Sequence, residues 1–485
     1  MHDGKPRIDA RAAADRHARK LEQISDQVRA FARARRPVSF RKAAVSHQVP
    51  KLHDATRADD KVDLTGLTEI LELIPERRIC VAEAGVTFDQ LVDATLPHGL
   101  MPTVVPELRT ITAGGAVAGC SIESGSFMYG GFHDSCVRYE VITARGDVLE
   151  VAPDDADPDD RLLFQMLHGT FGTLGVLSAL TFRLVPARQF VKIVYEKYRT
   201  IDEFQAGIRR HFDRRDVDFM DGFAHGPDCY VLNAGTFVDA APYTNRYDWL
   251  KVYYQSTLTR TEDYLRTKDY FFRYDRGVTN VHPKSMLGRL LLGKFVGSSE
   301  ILRLAQRFPW LLPSTPEVTI DLFLPFSRVE PFLRWFDGEF QFYPLWCVPY
   351  RRVRDYEWLA PSFYSGLPDD LFLDIAVYGM KQRQGSNDYR VIEEKLLEMG
   401  GLKTLISHNH FTEQEFWSVW NRGNFDRVKA RTDPDNLFRN LYEKTLAGAP
   451  PPARQPPAPP SRPPAPERAA PGSERSGPPP DLAHP

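Results

Sequence analysis

Two glycine-rich stretches carry the strongest chemical signal in this chain. The first, TITAGGAVAGCSIESGSFMYGGFHDSCV over residues 110–137, holds Gly114, Gly115, Gly119, Gly125, Gly130 and Gly131 among alanines and serines. The second, HGTFGTLGV, spaces Gly169, Gly172 and Gly175 three apart ahead of a β-like run. Glycine is entropically costly in regular structure, so such density points to positive-φ turns or to backbone lying against a ligand. Exposed N–H groups in such turns make concavities suited to a pyrophosphate. Either stretch alone could be an ordinary turn; together they favour a ligand cradle. The sequence contains no GxG, GxxxxGK(S/T), HExxH or GxSxG. A Rossmann site, a P-loop, a zincin and an α/β-hydrolase elbow therefore lose their warrant. His408 and His410 form an HxH pair in ISHNHFTEQEFW, but two ligands without a third make no metal site, and none is expected.

The elements that must hold these turns follow from the texture of the chain. Residues 37–187 read as short β-rich runs (RRICVAEAGVTF, YEVITARGDVLEV, GVLSALTFRLVP) broken by Gly, Pro and Asp, with a helix at DRLLFQMLH. Residues 188–446 mix strands such as EVTIDLFLPF and LFLDIAVYGM with helices such as VIEEKLLEM. Both patterns predict α+β domains. Residues 1–36 are basic, with Leu21, Ile24, Val28 and Phe31 at helical spacing. They read either as an amphipathic helix on an anionic membrane or as a helix packed on the domain by one stripe, which the narrow apolar face favours. Residues 447–485 carry 15 of the 38 prolines, counted from Pro450, and predict a disordered, extended tail, with a docking peptide as the alternative.

The chain has 485 residues, 62 basic and 64 acidic side chains and 42% hydrophobic residues. These values exclude collagen-like, wholly disordered and disulfide-scaffold classes. The near-neutral balance argues against nucleic acid as a partner. Five cysteines without a CxxC spacing suit a reducing compartment. The chain shows neither a membrane-length apolar run nor a secretory leader, so a cytoplasmic location is expected.

Arg41–Val49 followed by VDLTGL, then TITAGGAVAG, YGGFHDSCV, ITARGDVLEV, DRLLFQMLHGTFGTLGVL and TFRLVP together resemble the FAD domain of the vanillyl-alcohol-oxidase/PCMH flavoprotein superfamily. More narrowly, VVPELRTITAGGAVAGCSIESGSFMYGGFHDSC resembles the Δ24-sterol reductase branch. YYQS, DYLRTKDYFFRYD, PLWCVPYR, EQEFW and KARTDPDNLF extend the similarity across residues 37–440. A sister branch that reduces methylene-branched fatty acyl chains is about equally similar. The resemblance implies a two-lobed PCMH-type FAD-binding domain at 37–187 and a substrate (cap) domain at 188–446 that returns to the first. It implies that Ser46, His47, Gln48 and Val49 wrap the pyrophosphate. Thr112, Ala113, Gly114, Gly115 and Gly119 would run along diphosphate and flavin, and Glu123, Ser124, Tyr129 and His133 would lie near the isoalloxazine or ribityl chain. Gly172, Gly175 and Val176 would close over the adenine. The first loop is richer in glycine in relatives; Ala43 and Ala44 here disfavour positive φ and leave its shape open. The resembled branches do not attach FAD covalently, so His47 and Cys120 are expected to be plain contacts.

Reduction of an isolated C=C bond needs an acid to accompany hydride transfer, held in a dry pocket with a matched pKa. Tyr270, Arg273 and Asp275 in DYFFRYD, together with Tyr378 and His410, are the candidates, the first group through the resemblance. Asp374, beside Tyr378 on one strand, reads more simply as half of a structural ion pair. The substrate is expected to be an apolar lipid, and the stretch at 286–312 could meet a membrane interface. NADPH is the expected electron donor, docking directly or feeding through a partner reductase. The sequence sets no oligomeric state.

Overall fold

The computed structural model describes residues 9–446 except 52–53, 248–251, 276–315, 366 and 368, together with residue 477. The 286–312 stretch and, but for residue 477, the proline-rich tail lie outside the described residues. Met1–Ala449 forms one compact unit and Pro450–Pro485 a second.

Helix α1 (Ala10–Ala34) starts where the Asp9 side chain accepts the Ala12 N–H and stops where Arg35 turns left-handed. Its buried positions, Ala13, His17, Ile24, Ser25 and Val28, form one stripe. Leu21 and Phe31 pack against the same cluster as Val38, Val62, Ile142 and Val176. The stripe is thus covered by the protein itself. Among its basic residues, Arg16 and Lys20 reach Glu69, Lys20 also reaches Glu83, and Arg29 reaches Asp26. Of the two readings of this segment, the packed helix is the one observed.

Strands β1 (Val38–Arg41) and β2 (Asp60–Asp63) form a parallel pair. Strands β3 (Ile70–Ile74), β4 (Ile79–Glu83), β5 (Leu100–Pro102), β6 (Cys136–Ile142), β7 (Val148–Val151) and β8 (Val176–Pro186) build a six-stranded sheet in the order β3-β4-β8-β6-β7, with β5 paired to β8. Strands β9 (Phe190–Tyr198), β10 (Phe219–Gly226), β11 (Cys229–Val238), β12 (Glu262–Arg266), β13 (Val318–Pro325), β14 (Leu345–Arg351), β15 (Leu371–Met380) and β16 (Leu402–Lys403) build an eight-stranded sheet ordered β12-β9-β11-β10-β14-β15-β13-β16. Two large sheets and a two-stranded pair, with helices interspersed, are the α+β class expected.

The period-two pattern of β13 and β15 sorts their side chains onto two faces. Val318, Ile320, Leu322 and Leu324, with Leu371, Leu373, Ile375 and Val377, enter one core cluster with residues of helices Ile201–Arg214, Val329–Phe340 and Asp388–Glu398. The alternate residues Thr319, Asp321 and Phe323, with Asp374, Ala376 and Tyr378, share the opposite face. Register confirms it: Thr319 pairs with Tyr378, Asp321 with Ala376, and Phe323 with Asp374. That face looks into the main cavity.

Candidate active site

A cavity of about 500 Å³ lies between the glycine-rich turns and the polar face of the eight-stranded sheet. Its size falls in the range of roughly 300–1,000 Å³ typical of small-molecule and cofactor sites. Ser46, His47, Gln48, Val49, Thr112, Gly114, Gly115, Gly119 and Gly172 line it on one side, and Tyr378 lines it on the other.

The loop after β1 is one half of the cradle. Among the described residues, the backbone N–H groups of Ala43, Ala44, Val45, His47 and Gln48 have no hydrogen-bond partner. Neither Ala43 nor Ala44 has positive φ, so the loop takes a path that alanine tolerates. Lys42 lines the cavity, and burial pulls the pKa of its ammonium down. Lys444 lines it too and is lowered to about 8, by burial first and then by Lys42. Free N–H groups and two ammonium groups form a donor set suited to a diphosphate.

The other half is the short helix Ala113–Ala118, capped by the Thr112 side chain on the Gly115 N–H at 3.1 Å. Ala113 N and Gly114 N are spent on Val86 O and Ala84 O, both at 2.8 Å. A Cβ at Gly114 would sit 2.6 Å from Ala84 Cβ. The glycine here therefore lets the helix press against the end of β4, leaving the loop at 43–48 to supply the N–H groups. Gly172, at φ +70°, would place a Cβ 2.4 Å from the Phe40 ring. The remaining expected contacts are elsewhere. Ala113 is buried in the core, and Val176 packs in the cluster beneath α1. A Cβ at Gly175 would meet Val141 at 2.7 Å. Tyr129 is half-buried outside the cavity, and His133 faces a second, smaller pocket.

Glu123 and Ser124 do not reach the cavity, because they belong to a buried polar cluster with Tyr270 and Arg273. Arg273 Nη2 lies 3.2 Å from Glu123 Oε1 and 3.1 Å from Asp221 Oδ1. Its guanidinium sits over Tyr270 and Tyr274, at 4.1 and 4.5 Å from the ring centroids. The Tyr270 hydroxyl donates to Ser124 Oγ at 3.2 Å. Asp275 holds Arg109 through its Nε at 2.9 Å. Arg273 and Tyr270 thus clamp the two halves together and do not line the cavity. Asp221 also accepts from Trp346 Nε1 at 3.0 Å, and Trp346 lines the cavity. His410 lies outside as well. Its Nδ1 sits 3.1 Å from Asn387 Nδ2, and burial pulls its pKa down to about 4, so it carries no proton to give near neutral pH. His408 Nε2 donates to Pro50 O at 3.1 Å. Among the described residues no group of histidine, cysteine and carboxylate side chains could hold a metal ion.

Besides Lys42, His47, Cys120 and Lys444, the cavity is faced by the titratable groups Tyr378, Asp321, Asp374 and Glu107. The Tyr378 hydroxyl donates to Asp321 Oδ1 at 2.6 Å, and Thr404 Oγ1 reaches Asp321 Oδ2 at 3.2 Å. Asp374 is 3% exposed, and its Oδ1 has no partner among the described residues. Among the described residues no cation pairs with Asp374, so the expected ion pair is not formed there. Burial pushes all three carboxyl pKa values up, and like charges add to it: Asp321 and Glu107 raise Asp374, and Glu123 and Asp321 raise Glu107, which stands at about 8. Carboxyl groups crowded in an apolar setting cannot all ionise together, which favours the protonated form at Glu107 and Asp374, while the hydrogen bonds from Tyr378 and Thr404 partly offset the rise at Asp321. Sequence reasoning missed Asp321 and Glu107. The alternation that displays Asp374 and Tyr378 in LFLDIAVYGM equally displays Asp321 in EVTIDLFLPF, whereas Glu107 in VVPELRT had no local signal.

Residues 12–152 match the FAD binding domain family. The chain is 26% identical over 478 residues to a Δ24-sterol reductase homolog of Caenorhabditis elegans, covering 89% of this chain and 88% of the relative. It is 24% identical over 412 residues to the Δ24-sterol reductase of Homo sapiens, covering 80% and 78%. A decaprenylphosphoryl-β-D-ribose oxidase of Mycolicibacterium smegmatis is 35% identical over 126 residues, 26% of each chain. With the cradle and the cavity in place, residues 12–152 form an FAD-binding domain and the chain is an FAD-dependent oxidoreductase, similar over most of its length to Δ24-sterol reductases.

Proposed function

We propose that the chain reduces an isolated carbon–carbon double bond of an apolar lipid, with the buried carboxyl row supplying the proton. The row on the cavity face of β13 and β15 is the observation that carries this reading. When bound, FAD supplies the two electrons as hydride, with NADPH as their source. An unactivated alkene accepts hydride only as its second carbon takes a proton, so a protonated acid must stand in a dry site. Asp374, its Oδ1 unpartnered, is that acid. Asp321, fixed by Tyr378 and Thr404, positions the row and passes a proton along it. The relatives' Δ24-sterol reductase names support the same chemistry on a sterol, with a branched acyl chain as the alternative substrate.

FAD is held without a covalent bond in this reading. Burial raises the Cys120 thiol well above its ordinary pKa, and a protonated thiol is a poor nucleophile. The His47 ring is engaged 3.1 Å from Thr110 Oγ1. An alcohol oxidase on the same fold would instead need a base, a role that the upward shift of these carboxyl groups disfavours. The test is the absorbance spectrum of the purified protein, followed anaerobically by NADPH and then a lipid alkene. Bleaching by NADPH and recovery with the alkene are expected. Bleaching by a simple alcohol with recovery in oxygen alone would overturn the proposal.

A further inference from the structure

Two lysines tie the short helix Leu441–Thr445 to both sides of the cofactor cradle. The helix begins where the Asn440 side chain accepts the Tyr442 N–H at 2.9 Å. At its other end, the last carbonyls of a helix find no N–H within the helix itself. Lys51, just beyond the loop after β1, meets them. Its ammonium donates to Lys444 O at 3.0 Å, Thr445 O at 2.7 Å and Leu446 O at 3.1 Å. Those bonds use all three donors of an ammonium group, and a cation at a helix C-terminus also meets the negative end of its dipole. Lys51 does not line the cavity; it reaches the helix end instead.

Lys444 extends from the same helix into the cavity. Its Nζ donates to Phe171 O at 2.7 Å and lies 5.3 Å from the centroid of the Phe40 ring; Phe40, Phe171 and Gly172 all line the cavity. One bond leaves two donors of its ammonium for an anion there. Lys42 and Lys444 repel each other, as the lowering of Lys444 by Lys42 shows, so the place of Lys444 depends on how firmly its own backbone is held. The loop at 43–50 keeps its position by other bonds: Val49 N donates to Ile406 O at 2.8 Å, and His408 Nε2 donates to Pro50 O at 3.1 Å. What Lys51 adds is the anchorage of the Lys444 end of the helix. The Asn409 amide reaches the same end, at Thr445 Oγ1, by a longer and neutral bond of 3.3 Å.

We propose that Lys51 is a positioning residue for FAD, holding the end of the helix Leu441–Thr445 so that the Lys444 ammonium stays among the cavity donors that receive the diphosphate. The donors of Lys51 are spent on carbonyls, so it acts through Lys444. The inference rests on the cradle alone and is independent of the alkene chemistry.

FAD affinity, read by flavin fluorescence as the loaded protein is diluted, tests this in Lys51→Met, Lys444→Met and the double variant. Each single variant should bind FAD about tenfold more weakly, as for loss of one charge-assisted contact. The double variant should bind no more weakly than Lys444→Met, because Lys51 acts through the group already removed. Lys51→Arg, which keeps a cation against the three carbonyls, should restore affinity to within about threefold of the parent. A loss of about a hundredfold in the double variant, the product of two independent effects, would overturn the proposal. So would parent affinity in Lys51→Met, or an arginine variant that binds as weakly as the methionine one. Should Lys51→Met fail to fold, amide exchange at residues 444–446 of the parent protein decides. Saturating FAD should slow it by about tenfold, and exchange that FAD leaves unchanged would overturn the proposal.

Discussion

Replacing His17 by glutamine should loosen helix α1 in a strongly pH-dependent way. The His17 ring bridges two strands of the six-stranded sheet: Nδ1 lies 2.8 Å from Glu83 Oε1 and Nε2 lies 2.8 Å from Glu140 Oε1. Burial alone would depress its pKa, but the hydrogen bonds to Glu140 and Glu83 outweigh it and raise the value from 6.5 to about 9. At about 1.4 kcal/mol per unit, that shift contributes about 3 kcal/mol. Because the folded pKa is the raised one, the contribution is complete below about pH 6.5 and disappears as pH rises through about 9. The glutamine variant leaves neither carboxylate stranded, since Glu83 keeps Lys20 and Glu140 keeps the Ser178 hydroxyl. Hydrogen exchange of the α1 amides, compared with the parent protein at matched pH, reads the helix locally. Protection should fall by about two orders of magnitude near pH 6 and hardly at all near pH 10. An equal loss at both values would mean that the ring acts by packing alone and would refute the charged-bridge argument.

Three further outcomes follow from the site and its supports. Glu107→Gln removes a half-buried carboxyl whose folded pKa is about 8. Its stability, read from thermal melting, should match the parent near pH 4 and exceed it above pH 8 by about 2 kcal/mol once solvent screening is allowed for; a lower midpoint at both values would contradict the raised pKa. Arg273→Met leaves Glu123 and Asp221 buried without their cation and should cost about 3–5 kcal/mol. Tyr270→Phe loses only the bond to Ser124, about 1 kcal/mol, so equal melting of the two variants would count against the clamp. Gly172→Ala forces a side chain at φ +70° against Phe40, a strain of about 1–2 kcal/mol. FAD affinity, followed by flavin fluorescence, should drop about tenfold, and unchanged affinity would remove Gly172 from the cradle.

The fold was legible where one physical pattern dominates a segment. The stripe of α1 announced a packed helix, and alternation in LFLDIAVYGM put Asp374 and Tyr378 on one face. The same alternation was present in EVTIDLFLPF, but Asp321 gains meaning only when β13 pairs with β15 and Tyr378 reaches it. Arg273 shows the opposite failure. An arginine among tyrosines suggested catalysis, yet its partners Glu123 and Asp221 lie 150 and 52 residues away in sequence, and no local pattern exposes a clamp of that separation. Gly114 and Gly175 are demanding positions for a further reason that the sequence did not show: a Cβ there would meet Ala84 and Val141. Ala43 and Ala44 left the shape of the first loop open, and the backbone there needs positive φ at neither.

The central claim is that the carboxyl row protonates the alkene, and Asp374→Asn tests it most directly. Anaerobic stopped-flow measurement would compare flavin reduction by NADPH with flavin reoxidation by a lipid alkene in the two proteins. Reduction should proceed at the parent rate, while reoxidation by the alkene should slow by about 10²–10⁴-fold, as for loss of a general acid. Reoxidation at the parent rate in a variant that still binds FAD would contradict the claim.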